Sequence, residues 1–135
     1  MNRAQRRQLE RAKAHAATQA ASQLAAAYRC VPAMNCKGLC FEACGPIYMS
    51  PEEKRRIEAH LGHPIGKVDP HTLTCPLLTA DKRCSIYELR PMICRIYGVQ
   101  ESLRCEHGCE PTRVLSDDEA GYLMGSIGTD GSLHT

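Results

Sequence analysis

The stretch of sequence that decides the fold is CPLLTADKRCSIYELRPMIC, residues 75–94, because it places three cysteines at nearly even intervals. Three cysteines of the same pattern precede this stretch and two follow it, and within each flanking set three residues separate neighbouring thiols. The eight thiols of the pattern are Cys36, Cys40, Cys44, Cys75, Cys84, Cys94, Cys105 and Cys109. Disulfide bonds and metal binding are the two common explanations for thiols at this density.

The cellular compartment separates these explanations, because disulfides need an oxidising environment. Residues 1–29 are charged and rich in alanine, and they lack the bulky apolar run of a secretory signal. No stretch approaches the roughly 18 apolar residues of a membrane span. We therefore expect a cytoplasmic protein without a membrane span, whose reduced thiols bind metal. Cys30 lies outside the regular series, and we expect it to be a free thiol.

The small apolar core also favours metal. The chain has 135 residues with no Trp and one Phe, so a single domain would bury little large apolar surface. Structural zinc supplies an apparent binding energy of roughly 10–16 kcal/mol in peptide systems. This exceeds the net stability of about 5–15 kcal/mol of a typical domain. We expect the metal to be part of the fold, so that the metal-free protein melts at a lower temperature.

The ligand chemistry leaves the identity of the metal open. Tetrahedral zinc accepts four thiolates, and pairs spaced by two to four residues suit it. Iron–sulfur clusters are held by cysteines as well. The eight cysteines are the predicted metal ligands, with zinc as the expected metal and an iron–sulfur cluster as the alternative. They could form two sites of four ligands, or one site with spare thiols; His71 and His107 are secondary candidates.

Helices are expected to dominate the secondary structure. Apolar residues recur at steps of three and four over residues 4–27, which predicts a long helix that Val31-Pro32 ends. Ser50 begins a capping box with Pro at the first helical position, and this second helix should end at Gly62.

Two further helices are predicted near the C-terminal end. Ser85 is expected to cap a helix that Pro91 interrupts, and Ser116 to cap the last one. The expected fold is a small, mostly α, loop-rich, metal-stabilised cysteine-cluster domain with an N-terminal basic helix. Its expected parts are a basic helical extension at 1–29, the metal-binding domain at 30–127 and a disordered tail at 128–135.

The residues around the central cysteines form a specific pattern, C-P-x-L followed by C-x-I-Y-x-x-R-P-x-x-C-R-x-[FY]. The pattern resembles that of the CxxCxxCC cysteine-cluster family, also called YkgJ-like proteins and described as zinc- or iron-chelating domains. The matching positions are Cys75, Pro76, Cys84, Ile86, Tyr87, Arg90, Pro91, Cys94, Arg95 and Tyr97. The resemblance covers residues 36–125 and implies metal chelation without a settled reaction.

The chain departs from the family at the first cluster. The namesake motif ends in adjacent cysteines, whereas here Cys36, Cys40 and Cys44 are spread apart. Within the shared pattern, Arg90 and Arg95 are expected to offset thiolate charge by hydrogen bonding to sulfur or to Glu88. Tyr87 and Tyr97 are expected to belong to the core.

Three functions fit these observations. The first is a metal-binding protein, not expected to be an enzyme, in which zinc or an iron–sulfur centre has a structural or interaction role with a protein partner. The second is an iron–sulfur protein of electron transfer. The third is a zinc protein associated with nucleic acid, because residues 1–29 carry a net charge of +5 and the remainder −3. The basic residues that would contact phosphates are Arg3, Arg6, Arg7, Arg11 and Lys13.

Overall fold

The computed structural model describes residues 1–40, 44–45 and 47–129, together with the backbone of residues 133–134. Within this part of the chain, four α-helices and four two-residue strands are connected by long loops. The helices are α1 (Arg3–Arg29), α2 (Pro51–Leu61), α3 (Met92–Ile96) and α4 (Asp117–Ser126), and the strands are β1 (Ile47–Tyr48), β2 (Val99–Gln100), β3 (Leu103–Arg104) and β4 (Leu133–His134). The small, mostly helical and loop-rich fold predicted from the sequence is confirmed.

Helix α1 is long and almost entirely exposed. Asn2 caps it, because the Asn2 side chain accepts from the Gln5 N–H at 2.9 Å and the Gln5 side chain accepts from the Asn2 N–H at 2.9 Å. Residues 1–19 are exposed throughout, and only Leu24 and Ala27 are buried. At 1.5 Å per residue the helix is about 40 Å long. The predicted N-terminal helix is confirmed, and only its last turns are packed.

Helix α2 begins and ends where the sequence predicts. The Ser50 hydroxyl accepts from the Glu53 N–H at 3.2 Å, and the Glu53 carboxylate accepts from the Ser50 N–H at 2.9 Å. Gly62 ends the helix at φ +77°, a left-handed conformation that glycine adopts without strain.

Glu53 also joins α2 to two other helices. Its side chain is 1% exposed, and its second oxygen accepts from the Tyr28 hydroxyl and from the Met92 N–H, each at 2.5 Å. Tyr28 lies at the end of α1 and Met92 begins α3. One buried carboxylate therefore connects α1, α2 and α3, and it satisfies donors that would otherwise be unpaired.

The segment before α3 differs from the prediction in one respect. Ser85 does not cap a helix; its N–H donates to the Leu77 carbonyl at 2.9 Å, and a 3₁₀-helix at Tyr87–Leu89 begins without a side-chain cap. The predicted interruption at Pro91 is confirmed. Because the residue before proline avoids the helical region, Arg90 is extended at ψ 137°, and α3 starts afresh after Pro91.

The C-terminal region contains the last predicted helix. The Ser116 hydroxyl accepts from the Glu119 N–H at 3.1 Å, which confirms the capping box before α4. Strand β4 pairs antiparallel with β1, and β2 pairs antiparallel with β3. Half of the expected disordered tail at 128–135, residues 130–132 and 135, lies outside the described residues, and β4 has a defined backbone within the other half.

The buried side chains of the described residues form two clusters. The first joins the end of α1 to α3, β2 and α4, and consists of Ala27, Met92, Ile96, Val99, Leu115, Ala120 and Leu123. The second surrounds α2 and consists of Met49, Ile57, Ile65, Leu77 and Ile86. Cys75 and Cys84 pack against this second cluster, so the cysteine loops lie on a thin apolar base.

Candidate metal centre

Two five-residue loops of the form C-x3-C, at residues 36–40 and 105–109, are brought together from distant parts of the chain. The Lys37 N–H donates to Cys109 Sγ at 3.4 Å. A β-bridge between Met34 and Pro111 joins the segments that flank the two loops. These long-range contacts pair the first cysteine loop with the last one.

The two loops have matching turns around sulfur. Cys36 Sγ accepts from the N–H two residues ahead at 3.3 Å, and Cys105 Sγ does the same at 3.4 Å. Each turn contains a glycine at positive φ, +70° at Gly38 and +79° at Gly108. The N–H of His107, followed by that of Cys109, lowers the pKa of the Cys105 thiol. Backbone donors thus favour the thiolate, which is the form that binds metal.

A second group of cysteines gathers around Cys75. The Cys75 N–H donates to the Cys44 carbonyl at 3.2 Å. Next to Cys44, the backbone of Gly45 lies so close to that of Leu73 that a Cβ on Gly45 would stand 2.8 Å from the Leu73 carbonyl oxygen. A β-bridge between Leu78 and Cys84 closes the turn after Cys75. Local backbone contacts therefore connect Cys44, Cys75 and Cys84.

Helix α3 adds Cys94 to this second group. The pKa of the Cys94 thiol is raised to about 12, mainly by burial and then by the charges of Cys75, Cys84 and Cys44 in that order. The Arg90 guanidinium lowers it, so this arginine partly offsets the negative charge of a thiolate there. Cys94 thus shares its electrostatic surroundings with the three cysteines of the second group.

The charge interactions of the half-buried Cys40 and Cys44 follow the same division, apart from the interaction between these two thiols. Burial raises the pKa of Cys40, and Cys36, Cys105 and Cys109 add to the increase. The pKa of Cys44 is raised to about 11, mainly by burial and then by the charges of Cys75, Cys40 and Cys84. The first set is Cys36, Cys40, Cys105 and Cys109, and the second set is Cys44, Cys75, Cys84 and Cys94. The Cys40–Cys44 interaction makes the two sets neighbours.

The sulfurs are not arranged at ligation distances. In the part of the chain that the structure describes, no three His, Cys, Asp or Glu side chains form a group that could hold a metal ion. Zinc–sulfur bonds are about 2.3 Å long, whereas charges influence one another over much longer distances. A set could ligate an ion only if its sulfurs moved closer together. The donor chemistry fits, because four thiolates satisfy tetrahedral zinc or an iron–sulfur cluster.

The remaining candidates lie apart from both sets or contribute through the backbone. Cys30 is exposed, and its thiol donates to the Ala26 carbonyl at 3.4 Å. His107 contacts Cys105 through its N–H. His71 is exposed, and its N–H donates to Asp69. Lys37, which the sequence analysis did not single out, provides an N–H to Cys109; its position between Cys36 and Cys40 was the available signal.

The expectation for the two arginines of the motif is wrong in its details. Arg95 donates to the carbonyls of Arg90 and Glu88, at 2.6 and 2.9 Å, and not to sulfur or to the Glu88 carboxylate. Arg90 donates to the Tyr87 carbonyl at 3.0 Å. The expectation that Tyr87 belongs to the core is also wrong, because Tyr87 is 44% exposed and its ring is covered by Arg90. Tyr97 is half-buried.

Comparison with known protein families assigns the cysteine-rich region to a family. The family model of CxxCxxCC proteins, described as "Putative zinc- or iron-chelating domain", matches residues 35–112, which include both sets. The chain belongs to the CxxCxxCC family. Membership supports metal binding by the cysteine cluster and leaves the choice between zinc and iron open. No curated protein and no solved structure matches the chain.

Within the described residues, no helix of this CxxCxxCC protein combines the length and the hydropathy needed to cross a bilayer.

Proposed function

We propose that this protein binds two zinc ions, each held by four cysteines, and that the zinc sites have a structural role. The first site consists of Cys36, Cys40, Cys105 and Cys109, and the second of Cys44, Cys75, Cys84 and Cys94. The division of the eight thiols into two sets of four carries the proposal. Backbone contacts support the pairing of the 36–40 loop with Cys109 and of Cys44 with Cys75, and charge interactions support the placement of Cys40 and Cys94.

A structural role follows from the number of ligands and from their position. Structural zinc sites have four protein ligands, whereas catalytic sites keep one position open for water or substrate. The first site would join a loop near the end of α1 to the loop after β3, and the second would join α3 to the loops packed on α2. Zinc would thereby stabilise a domain whose second apolar cluster has only five buried members among the described residues.

Metal analysis of protein purified without oxygen and without added metal tests the proposal. We expect a colourless protein with two zinc ions per chain. A brown protein with iron and acid-labile sulfide would contradict the zinc assignment and support the iron–sulfur alternative, with redox titration as the next step.

Single substitutions test the grouping. Cys40→Ser and Cys84→Ser should each lose one of the two ions, and the double variant should lose both. Cys30→Ser is the matched control, because Cys30 is exposed and lies outside both sets, and it should keep both ions. If Cys40→Ser and Cys84→Ser removed the same single ion, the proposed grouping would be wrong.

The exposure of α1 favours nucleic acid as a second candidate function. The basic residues of its first half lie within an arc of about 160° at 3.6 residues per turn. These residues are Arg3, Arg6, Arg7, Arg11 and Lys13, and all are exposed. The opposite face is mainly alanine and glutamine with the exposed Leu9, which is less apolar surface than a membrane-surface helix presents. A helix 10–12 Å wide fits the DNA major groove, which is about 12 Å wide.

Fluorescence anisotropy with a labelled DNA duplex of mixed sequence tests this candidate. Five phosphate contacts predict that affinity falls about 500-fold between 50 and 200 mM salt. Replacing Arg3, Arg7 and Arg11 by Gln should abolish most of the binding, whereas Arg83→Gln, an exposed control outside α1, should not. Absence of binding at 50 mM salt would exclude this function.

A further inference from the structure

A cavity of about 240 Å³ lies beside the cysteine sets, and Cys36 is the one member of the two sets among its lining residues. Four side chains of the C-x-I-Y-x-x-R-P-x-x-C-R-x-[FY] segment converge on it from the 3₁₀-helix, α3 and the residues next to them. They are Tyr87, Arg90, Arg95 and Tyr97. The opposite wall contains Tyr28 and residues 31–34, and Cys36 lies at its border. The non-cysteine side chains of the segment therefore share one surface.

The two arginines of this cavity are held in position without a carboxylate. The Arg90 guanidinium lies 4.0 Å from the ring centre of Tyr87, and that of Arg95 lies 3.8 Å from the ring centre of Tyr28. Each donates to two backbone carbonyls, which uses two of its five N–H donors. Among the described residues, no acidic side chain forms a salt bridge with either. Both are half-buried, so each retains charge and donors in a partly desolvated place.

The surroundings increase the positive potential on one side of the cavity. The Arg56 guanidinium stands 5.7 Å from the ring centre of Tyr28. The carboxylate of Glu53 is not among the lining residues, and its oxygens already accept from the Tyr28 hydroxyl and from two backbone N–H groups. Glu53 is therefore committed to the helix junction and does not neutralise the arginines by direct pairing.

We propose that this cavity binds a small oxyanion, a carboxylate or a phosphate group, between Arg90 and Arg95. Planar guanidinium groups match both anions, because they present parallel N–H donors. Ligand cavities commonly measure about 300–1,000 Å³, so a cavity of 240 Å³ suits a free anion or the charged end of a small molecule. The anion would lie close to the first cysteine set, through Cys36, and close to the second, through Arg90.

The competing role for these arginines is to balance thiolate charge, and the experiment must separate the two roles. Zinc-loaded, full-length protein is titrated with potassium phosphate and with potassium acetate, against potassium chloride at equal ionic strength. Binding is followed by NMR at the arginine Nε–H groups and by calorimetry. We expect saturable binding of at least one of the two oxyanions, with chemical-shift changes confined to Arg90 and Arg95. Preference for phosphate or for acetate identifies the class of the natural ligand.

Variants complete the test. Arg90→Lys retains the charge and removes the planar donor array, and should weaken oxyanion binding about tenfold or more, since hydrogen bonds to charged groups contribute strongly. Arg83→Lys is the matched control on an exposed arginine outside the cavity and should bind normally. Zinc content and circular dichroism are measured for each variant. Arg95→Lys could disturb folding, because the Arg95 guanidinium packs on the Tyr28 ring. The test therefore relies on the NMR mapping of the wild-type protein and on Arg90→Lys.

Three results would overturn the proposal. They are no saturable binding of phosphate or acetate, equal weakening by Arg83→Lys, and loss of zinc from Arg90→Lys while oxyanion affinity is unchanged. The last result would assign the arginines to the cysteine sets. The proposal does not depend on the identity of the metal, so it can fail while the zinc sites stand.

Discussion

Replacing Glu53 by alanine should strongly destabilise the fold, although Glu53 is not a metal ligand candidate. The substitution removes the acceptor for the N–H groups of Ser50 and Met92, both of which belong to residues that are 0% exposed. An unsatisfied buried donor costs about 1–3 kcal/mol, so the two together give a loss of about 2–6 kcal/mol. The Tyr28 hydroxyl loses its partner as well. The loss of about 2–6 kcal/mol is a large fraction of the free energy of unfolding of a typical domain, about 5–15 kcal/mol.

Urea denaturation followed by circular dichroism measures this loss, with free zinc held at one concentration because bound metal shifts apparent stability. Glu119→Ala is the matched control. Glu119 occupies the same third helical position of a capping box in α4, but it is exposed and pairs only locally with Ser116 and Arg113. Glu119→Ala should cause a much smaller change. Equal destabilisation by the two substitutions would show that Glu53 acts as an ordinary capping residue and would refute the reasoning.

Three further outcomes are expected. Gly45→Ala should reduce the zinc content from two ions to one, because the new Cβ would stand 2.8 Å from the Leu73 carbonyl oxygen, beside Cys44. Gly121→Ala is the control and should retain both ions, because a Cβ at Gly121 meets nothing within 4 Å. As pH falls, the second set should release zinc before the first. Burial raises the pKa of Cys44 to about 11 and of Cys94 to about 12, so protons compete more strongly there than at Cys105, whose pKa is lowered. Chelator competition across pH measures this order in Cys40→Ser and Cys84→Ser, because each variant retains one site. Release of zinc from the first set at a higher pH than from the second would contradict the prediction. Chelation of both ions should lower the melting temperature and its cooperativity in calorimetry; an unchanged transition would mean that zinc is not part of the fold.

Local sequence patterns determined where the long helices begin and end. The capping boxes at Ser50 and Ser116 and the helical periodicity of residues 4–27 act between residues a few positions apart, and all three predictions are confirmed. The cap predicted at Ser85 is wrong, because the 3₁₀-helix begins one residue later, with Ile86 at its N-cap position and no side-chain cap. The Ser85 N–H is bonded back to the Leu77 carbonyl, a contact that depends on how the cysteine loop folds.

The sequence alone also determined that eight cysteines form a pattern typical of metal binding, because thiol density and spacing are visible in one dimension. Which thiols share a site depended on the tertiary structure. The loop at 36–40 meets the loop at 105–109 although they are far apart in sequence, and Cys94 and Cys44 influence each other although 49 residues separate them. The convergence of Arg90 and Arg95 on one cavity was hidden for the same reason. Side chains distant in sequence become neighbours only through long-range packing, whose energy comes from burial and not from local propensity.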